Sequence, residues 1–109
     1  MKKILCVIDS LGSGGAQRQI VGIAKGLKEN GYLTSFLLYH DINFYSMELE
    51  KSKIDCHIIK TNNYLKRILL IRKYIRRGNY YSIISFLEAA NFISTLSGFP
   101  KKNWKLILG

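Results

Sequence analysis

The sequence predicts an α/β domain in which helices cover a parallel sheet. Five short apolar runs alternate with segments whose apolar residues recur at helical spacing, and only a few residues connect them. Strands and helices that alternate in this way form right-handed βαβ crossovers. The 109 residues have room for one domain at most. The expected architecture is therefore a Rossmann-like sheet.

The first half of the chain predicts three strands. Residues 3–9 form a continuous apolar run, which is typical of a strand buried on both faces. A helix follows from Ala16 to Glu29, with its apolar residues on one side, and Gly31 is the natural left-handed residue beyond its end. The remaining expected elements are a strand at 32–39, a short helix at 43–51 and a strand at 54–60.

The second half predicts a long helix and two strands. The helix spans residues 64–77 and is closed by Gly78. Its predicted buried stripe consists of Tyr64, Ile68, Ile71 and Ile75. The other expected elements are strands at 81–86 and 104–108 and a helix at 88–97. The usual strand order for such a chain is 3-2-1-4-5, and we expect further chain to cover the fifth strand.

The two cysteines are expected to be free thiols. Cys6 and Cys56 each lie in a β-branched apolar run, and in the order 3-2-1-4-5 they are two strand spacings apart. That distance is roughly 10 Å, beyond the ~7 Å that a disulfide can bridge. Their placement also predicts no metal site.

Net charge and hydropathy limit the possible cellular location of the protein and its possible binding partners. Seventeen Lys and Arg against seven Asp and Glu give a net charge of +10, which suits nucleic acid, an anionic membrane surface or an acidic substrate. The apolar runs are far shorter than the ~20 residues that cross a bilayer. Asp9 ends the first run too early for a signal peptide. We therefore expect a cytoplasmic protein.

A glycine-rich turn joins the first strand to the first helix. Gly12 and Gly14 match the first two glycines of a dinucleotide-binding fingerprint, but Gln17 stands where the third is needed. No P-loop motif occurs either. The turn still offers glycine amides and a helix N-terminus to a phosphate or a sugar. Its alternative interpretation is a plain strand-to-helix connection.

Three segments resemble family 4 glycosyltransferases. Residues 3–18, KILCVIDSLGSGGAQR, are similar to the family's N-terminal strand and glycine turn, which usually ends Gly-Gly-Ala-Glu-Arg. Residues 81–91, YSIISFLEAAN, are similar to its fourth strand and the following turn, and residues 26–31 to the end of its first helix. The resemblance continues in order through all 109 residues.

The resemblance implies the incomplete N-terminal half of a GT-B enzyme. Residues 1–109 would form part of the acceptor-side domain, and a second Rossmann-like domain, absent from these residues and joined in cis or in trans, would bind the nucleotide-sugar. The implied reaction moves a sugar to a cell-surface polysaccharide or glycolipid acceptor. It implies no metal and no other cofactor, and we expect the 109 residues alone to be inactive.

The resemblance also implies roles for individual residues. Gly14 and Gly15 would lie against the donor's diphosphate or its transferred sugar. Gln17 and Arg18 would flank the acceptor pocket, and Asn91 would face the cleft, although a solvent-facing helix position is the alternative for Asn91.

Two departures from the family leave the catalytic residues unassigned. Gln17 replaces the family's common Glu, which removes a charge at the pocket. Phe86 and Leu87 occupy the place where many members carry a His. Glu88, three residues after Ser85, fits a capping box, in which its role would be only to stabilise the start of the helix.

The helix at 64–77 carries a second candidate surface. Lys66, Lys73, Arg76 and Arg77 are predicted to point away from the sheet, with Leu69 and Leu70 among them. Leucines set among basic residues suit a helix that lies on an anionic bilayer. This would fit a lipid-linked acceptor at the inner face of the plasma membrane. The alternative is a solvated face whose leucines cover loops or the missing domain.

Two other functional classes stay open. The first is a non-catalytic acceptor- or membrane-binding subunit that pairs with a separate donor-binding chain. The second is a basic Rossmann-like module that binds nucleic acid. Scattered Lys and Arg residues and the lack of an aromatic-and-basic motif disfavour nucleic acid.

Overall fold

Five parallel strands and three helices make up the computed structural model, which describes residues 2–9, 14–39, 46–85 and 105–108. The elements are β1 (Lys3–Ile8), α1 (Gly15–Glu29), β2 (Leu33–Leu38), α2 (Ser46–Lys51), β3 (Asp55–Ile58), α3 (Tyr64–Arg77), β4 (Ser82–Ser85) and β5 (Lys105–Leu108). The sheet has the order β3-β2-β1-β4-β5. This confirms the Rossmann-like fold and the predicted order, while the helix expected at 88–97 lies outside the described residues.

The core consists of one apolar layer on each face of the sheet. Alternate residues of β1 divide between the layers, with Cys6 on one face and Leu5 on the other. Residues of α1 and α2 pack on the Cys6 face, and residues of α3 pack on the Leu5 face. The continuous apolar run of β1 follows from this arrangement, because both faces of the central strand are covered.

Right-handed crossovers explain why α3 lies opposite α1 and α2. The chain steps outward from β1 through β2 to β3, and then returns past β1 to β4. A right-handed connection in the reverse direction must cross the other face of the sheet. The strand order therefore reverses between β1 and β4, where Val7 is paired with Ser85.

The predicted buried stripe of α3 is correct except at its first residue. Ile71 and Ile75 are buried and Ile68 packs partly against them, but Tyr64 is 51% exposed. Helical periodicity fixes the direction of a side chain around the axis and not its position along it. Tyr64 opens α3 at the carboxyl edge of the sheet, beyond the part of the helix that the strands cover.

Two glycines at helix ends are required for different reasons. Gly31 has φ of +90°, the left-handed conformation predicted for it. Gly78 has φ of −80°, and the left-handed residue after α3 is Asn79, with φ of 52°. Gly78 is needed because a Cβ there would lie 2.1 Å from the Tyr80 ring.

Gly31→Ala should destabilise the protein by about 1 kcal/mol, because alanine is strained at positive φ. Gly22 lies inside α1 with open space around it, so Gly22→Ala should instead stabilise the protein by about 0.5–1 kcal/mol. Urea unfolding of both variants measures the two changes. Equal effects of the same sign would contradict the backbone assignment.

The cysteines lie in register on either side of β2. Cys6 pairs with Phe36, and Phe36 pairs with Cys56, so one whole strand separates them. Both are free thiols, as predicted. Burial raises the pKa of Cys6 to about 12, and the nearby Cys56 adds to this shift. Cys6 is therefore held as an unreactive thiol.

Thiol labelling at pH 8 should modify Cys56 in the folded protein and leave Cys6 unmodified. A pKa of about 12 in place of ~8.5 lowers the thiolate fraction at that pH on the order of a thousandfold. Peptide mapping after maleimide treatment, with and without denaturant, identifies the labelled residue. Prompt labelling of Cys6 without denaturant would contradict the described packing.

Candidate functional site

The N-terminus of α1 opens at the carboxyl edge of the sheet, beside the reversal of strand order. β1 ends at Ile8 and α1 begins at Gly15, while β4 ends at Ser85 on the neighbouring position. Ligands of open parallel sheets bind at this edge and at this reversal point. The fold therefore brings Gly14 and Gly15 to the place where a ligand is expected.

The first turn of α1 has no side-chain cap. Gly14 is the N-cap residue, and its carbonyl accepts the first helical hydrogen bond from the Arg18 amide at 3.0 Å. The first turn contains no acidic residue. In α3, by contrast, the side chain of Asn63 accepts a hydrogen bond from the Lys66 amide at 3.1 Å. Within the described residues, the first turn of α1 thus presents amides and a positive dipole end and contains no carboxylate of its own.

The two glycines differ in what surrounds them. A Cβ on Gly14 would lie 2.5 Å from Oε1 of Gln17, so the Gln17 side chain occupies that space. A Cβ on Gly15 would meet nothing within 4 Å. Gly15 is also helical, so its backbone does not demand glycine. Among the described residues nothing requires a glycine at position 15, and the open space beside it is available to a ligand.

Arg18 and Gln17 are placed one turn into α1. Gln17 is half-buried and Arg18 is exposed. Arg18 lines a groove of about 410 Å³ between α1 and α2, together with Lys25, Glu29 and Glu48. Lys25 Nζ donates to Glu48 Oε1 at 2.6 Å across this groove, and this hydrogen bond raises the pKa of Lys25. Asn91, Phe86, Leu87 and Glu88 lie outside the described residues.

A polar cluster at the same edge was not predicted from the sequence. Tyr39 follows β2, and its amide donates to the Asp9 carbonyl at 3.1 Å. The Arg67 guanidinium lies 5.3 Å from the centre of the Tyr39 ring, and its Nη2 donates to the Thr61 carbonyl at 3.0 Å. Burial raises the pKa of Tyr39 to about 12, and the Asp9 charge acts in the same direction. Tyr39 is therefore a neutral hydroxyl in this cluster.

The signal for this cluster was present in the topology. Asp9 and Tyr39 are the first residues after two neighbouring parallel strands, and such residues meet at one edge. This rule does not find Arg67, because Arg67 belongs to α3 and does not follow a strand. Among the described residues no group of His, Cys, Asp and Glu is arranged to hold a metal ion.

The outer face of α3 is exposed and basic, as predicted. Its exposed residues are Lys66, Leu69, Leu70, Lys73 and Arg77. The prediction was wrong for Arg76, which is half-buried and has a buried Nε. Leu69 is 65% exposed, and Leu65, which the sequence analysis did not select, is 72% exposed. Within the described ranges, no helix is long and apolar enough to cross a membrane.

A curated relative shows a similar sequence. The chain is 29% identical over 98 residues to the GalNAc-α-(1->4)-GalNAc-α-(1->3)-diNAcBac-PP-undecaprenol α-1,4-N-acetyl-D-galactosaminyltransferase of Campylobacter jejuni. The match covers 84% of this chain and 27% of that protein. The chain therefore spans about a quarter of the length of this relative. No family model matches the chain.

Solved structures show the same fold. A glycosyltransferase from Rickettsia africae has a TM-score of 0.76 at 25% identity, with 98% of this chain and 29% of that chain covered. The Anabaena protein HepE, solved with UDP and glucose, has a TM-score of 0.74 at 17% identity, with 99% and 29% covered. The C-terminal domain of a Pyrococcus furiosus hydrogenase also matches, with a TM-score of 0.63 at 16% identity and coverage of 98% and 91%.

The fold alone does not decide the function, since the hydrogenase domain shares it. The curated match and the Rickettsia structure add sequence similarity to the shared fold, and both are glycosyltransferases of which this chain spans a part. In sequence and in fold the chain therefore matches part of a glycosyltransferase, in agreement with the predicted resemblance. The Rossmann-like α/β fold is confirmed.

Proposed function

We propose that residues 1–109 are the acceptor-side, N-terminal part of a family 4-like GT-B glycosyltransferase. A second Rossmann-like domain, in cis or in trans, would bind the nucleotide-sugar and close over the carboxyl edge of the sheet. The chain would act in the cytoplasm and serve a cell-surface polysaccharide or a glycolipid. The proposal uses no metal and no organic cofactor.

The uncapped first turn of α1, with open space where a Cβ on Gly15 would lie, carries this proposal. Transfer from a nucleotide-sugar develops negative charge on the leaving diphosphate, and a helix N-terminus stabilises charge of that sign. The first turn of α1 has neither a capping side chain nor an acidic residue to compete for its amides. Gly14 and Gly15 would therefore contact the donor's diphosphate or its sugar, with Gln17 and Arg18 on the acceptor side.

The α3 outer face supports a lipid-linked acceptor. The name of the Campylobacter relative describes an acceptor carried on PP-undecaprenol, a lipid diphosphate. In this chain α3 has six basic and no acidic residues, with exposed leucines between them. Each basic residue near an anionic surface contributes about 1 kcal/mol of attraction. We propose that this face, including Lys66, Leu69 and Lys73, lies on the inner leaflet and brings the chain to its acceptor.

Gly15→Val should lower sugar transfer about a hundredfold in the enzyme assembled with its donor-binding domain, because the isopropyl group displaces the donor. Gly22→Val is the matched control, since it adds the same group to open space on α1 away from the helix N-terminus. Gly22→Val should keep its transfer activity. The circular dichroism spectra of the two variants should be alike, which shows that both are folded. Unchanged transfer in folded Gly15→Val would remove the proposed role.

Replacing Leu69 and Leu70 together by Glu should weaken binding to vesicles containing phosphatidylglycerol by at least about tenfold, because it removes apolar contact and adds like charge. The control replaces Ile23 and Met47 by Glu, which changes the net charge equally on the opposite face of the sheet. Co-sedimentation at low salt measures both. An equal loss of vesicle binding in both variants would show that only the net charge matters, and it would contradict a membrane-binding surface on α3.

A further inference from the structure

A second cavity lies between α3 and the edge strand β3. Its volume is about 610 Å³, within the range of small-molecule sites. Its lining residues are His57, Ile59, Lys60, Leu70, Lys73, Tyr74, Arg77, Gly78 and Tyr80. The cavity lies on the α3 face of the sheet, whereas α1 packs on the other face. A ligand here would not reach Gly15.

Aromatic rings form one wall of this cavity. The rings of His57 and Tyr74 are stacked, with centroids 4.7 Å apart and planes 12° from parallel. Tyr80 is buried and also lines the cavity. Lys3 Nζ donates to the Gly78 carbonyl and lies 5.0 Å from the centre of the Tyr80 ring. The wall therefore consists of a stacked aromatic pair and of a tyrosine whose ring Lys3 contacts.

Cations form the rim. Lys60, Lys73 and Arg77 line the cavity, and no acidic side chain does. Lys73 and Arg77 are four residues apart on α3, where like charges repel by a few tenths of a kcal/mol. In the described part of the chain, the side chains of these two residues form no ion pair and no hydrogen bond. An anion between them would convert this repulsion into two charge-assisted contacts.

We propose that this cavity is a second binding site, for a phosphate ester whose organic body is apolar or planar. The phosphate would contact Lys73 and Arg77, and the body would lie against Leu70 and the stacked pair of His57 and Tyr74. An isoprenoid diphosphate and a nucleoside diphosphate share this chemistry. Inorganic phosphate would contact the cations but would make no contact with the aromatic wall.

The test compares three probes by calorimetry with the protein free of vesicles: farnesyl diphosphate, UDP and inorganic pyrophosphate. Farnesyl diphosphate or UDP should bind at least about tenfold more tightly than pyrophosphate, because burial of an organic body adds more than 1.4 kcal/mol. The tighter of the two identifies the body as isoprenoid or nucleoside. Equal binding of all three, or none at about 1 mM, would overturn the site.

Variants locate the binding. Replacing Lys73 and Arg77 together by Ala should weaken the tighter probe at least about tenfold, while replacing Lys28 and Lys51 together by Ala, an equal charge change on the other face, should not. His57→Ala, at an exposed position, should weaken the organic probe and spare pyrophosphate. Equal losses in the two double variants would show nonspecific attraction and overturn the proposal.

Amide NMR separates this site from the proposed donor site. The tighter probe should shift the Gly78 amide, whether or not it also reaches the Gly15 amide. A shift confined to Gly15 would contradict the second site while leaving the proposed function intact. Loss of transfer in Gly15→Val with an unshifted Gly78 would likewise count against this inference alone.

Discussion

The pairing of β1 with β2 on one side and β4 on the other is the constraint on which the rest of the structure depends. It makes β1 the central strand, so both of its faces must be apolar and covered. Because the crossovers are right-handed, α1 and α2 lie on one face and α3 lies on the other. The reversal of strand order then falls beside the end of β1, and the α1 terminus opens there. The candidate donor site is thus a consequence of topology.

Two of the helices that begin at the carboxyl edge, α1 and α3, differ in how their first turns are capped. Asn63 caps α3 with its own side chain, whereas Gly14 offers α1 none. An uncapped terminus leaves amides for a ligand, and a glycine at the next position leaves the approach open. On the opposite face of the sheet, α3 gathers cations and exposed leucines. The domain therefore has two separate regions suited to negative charge, one of backbone amides and one of side chains.

Much of the fold could be predicted because apolar periodicity records burial directly. The bounds of α3 follow from it. The strand order and the separation of Cys6 from Cys56 follow instead from the usual order of strands in this fold class. The predicted burial of Tyr64 was wrong because periodicity carries no information about where the sheet ends. In the edge cluster, the topology already indicated that Asp9 and Tyr39 lie close together, but only the three-dimensional structure shows that Arg67 of α3 joins them. The stacking of His57 on Tyr74 also depends on how α3 lies across the edge strand, a distance that no local pattern specifies.

The most direct test of the central claim is a crystal structure of this chain together with its donor-binding domain and an intact nucleotide-sugar. The account predicts a diphosphate or sugar oxygen within about 3 Å of the Gly15 nitrogen, which is hydrogen-bonding distance. A donor bound elsewhere in the cleft, with solvent against the first turn of α1, would contradict it.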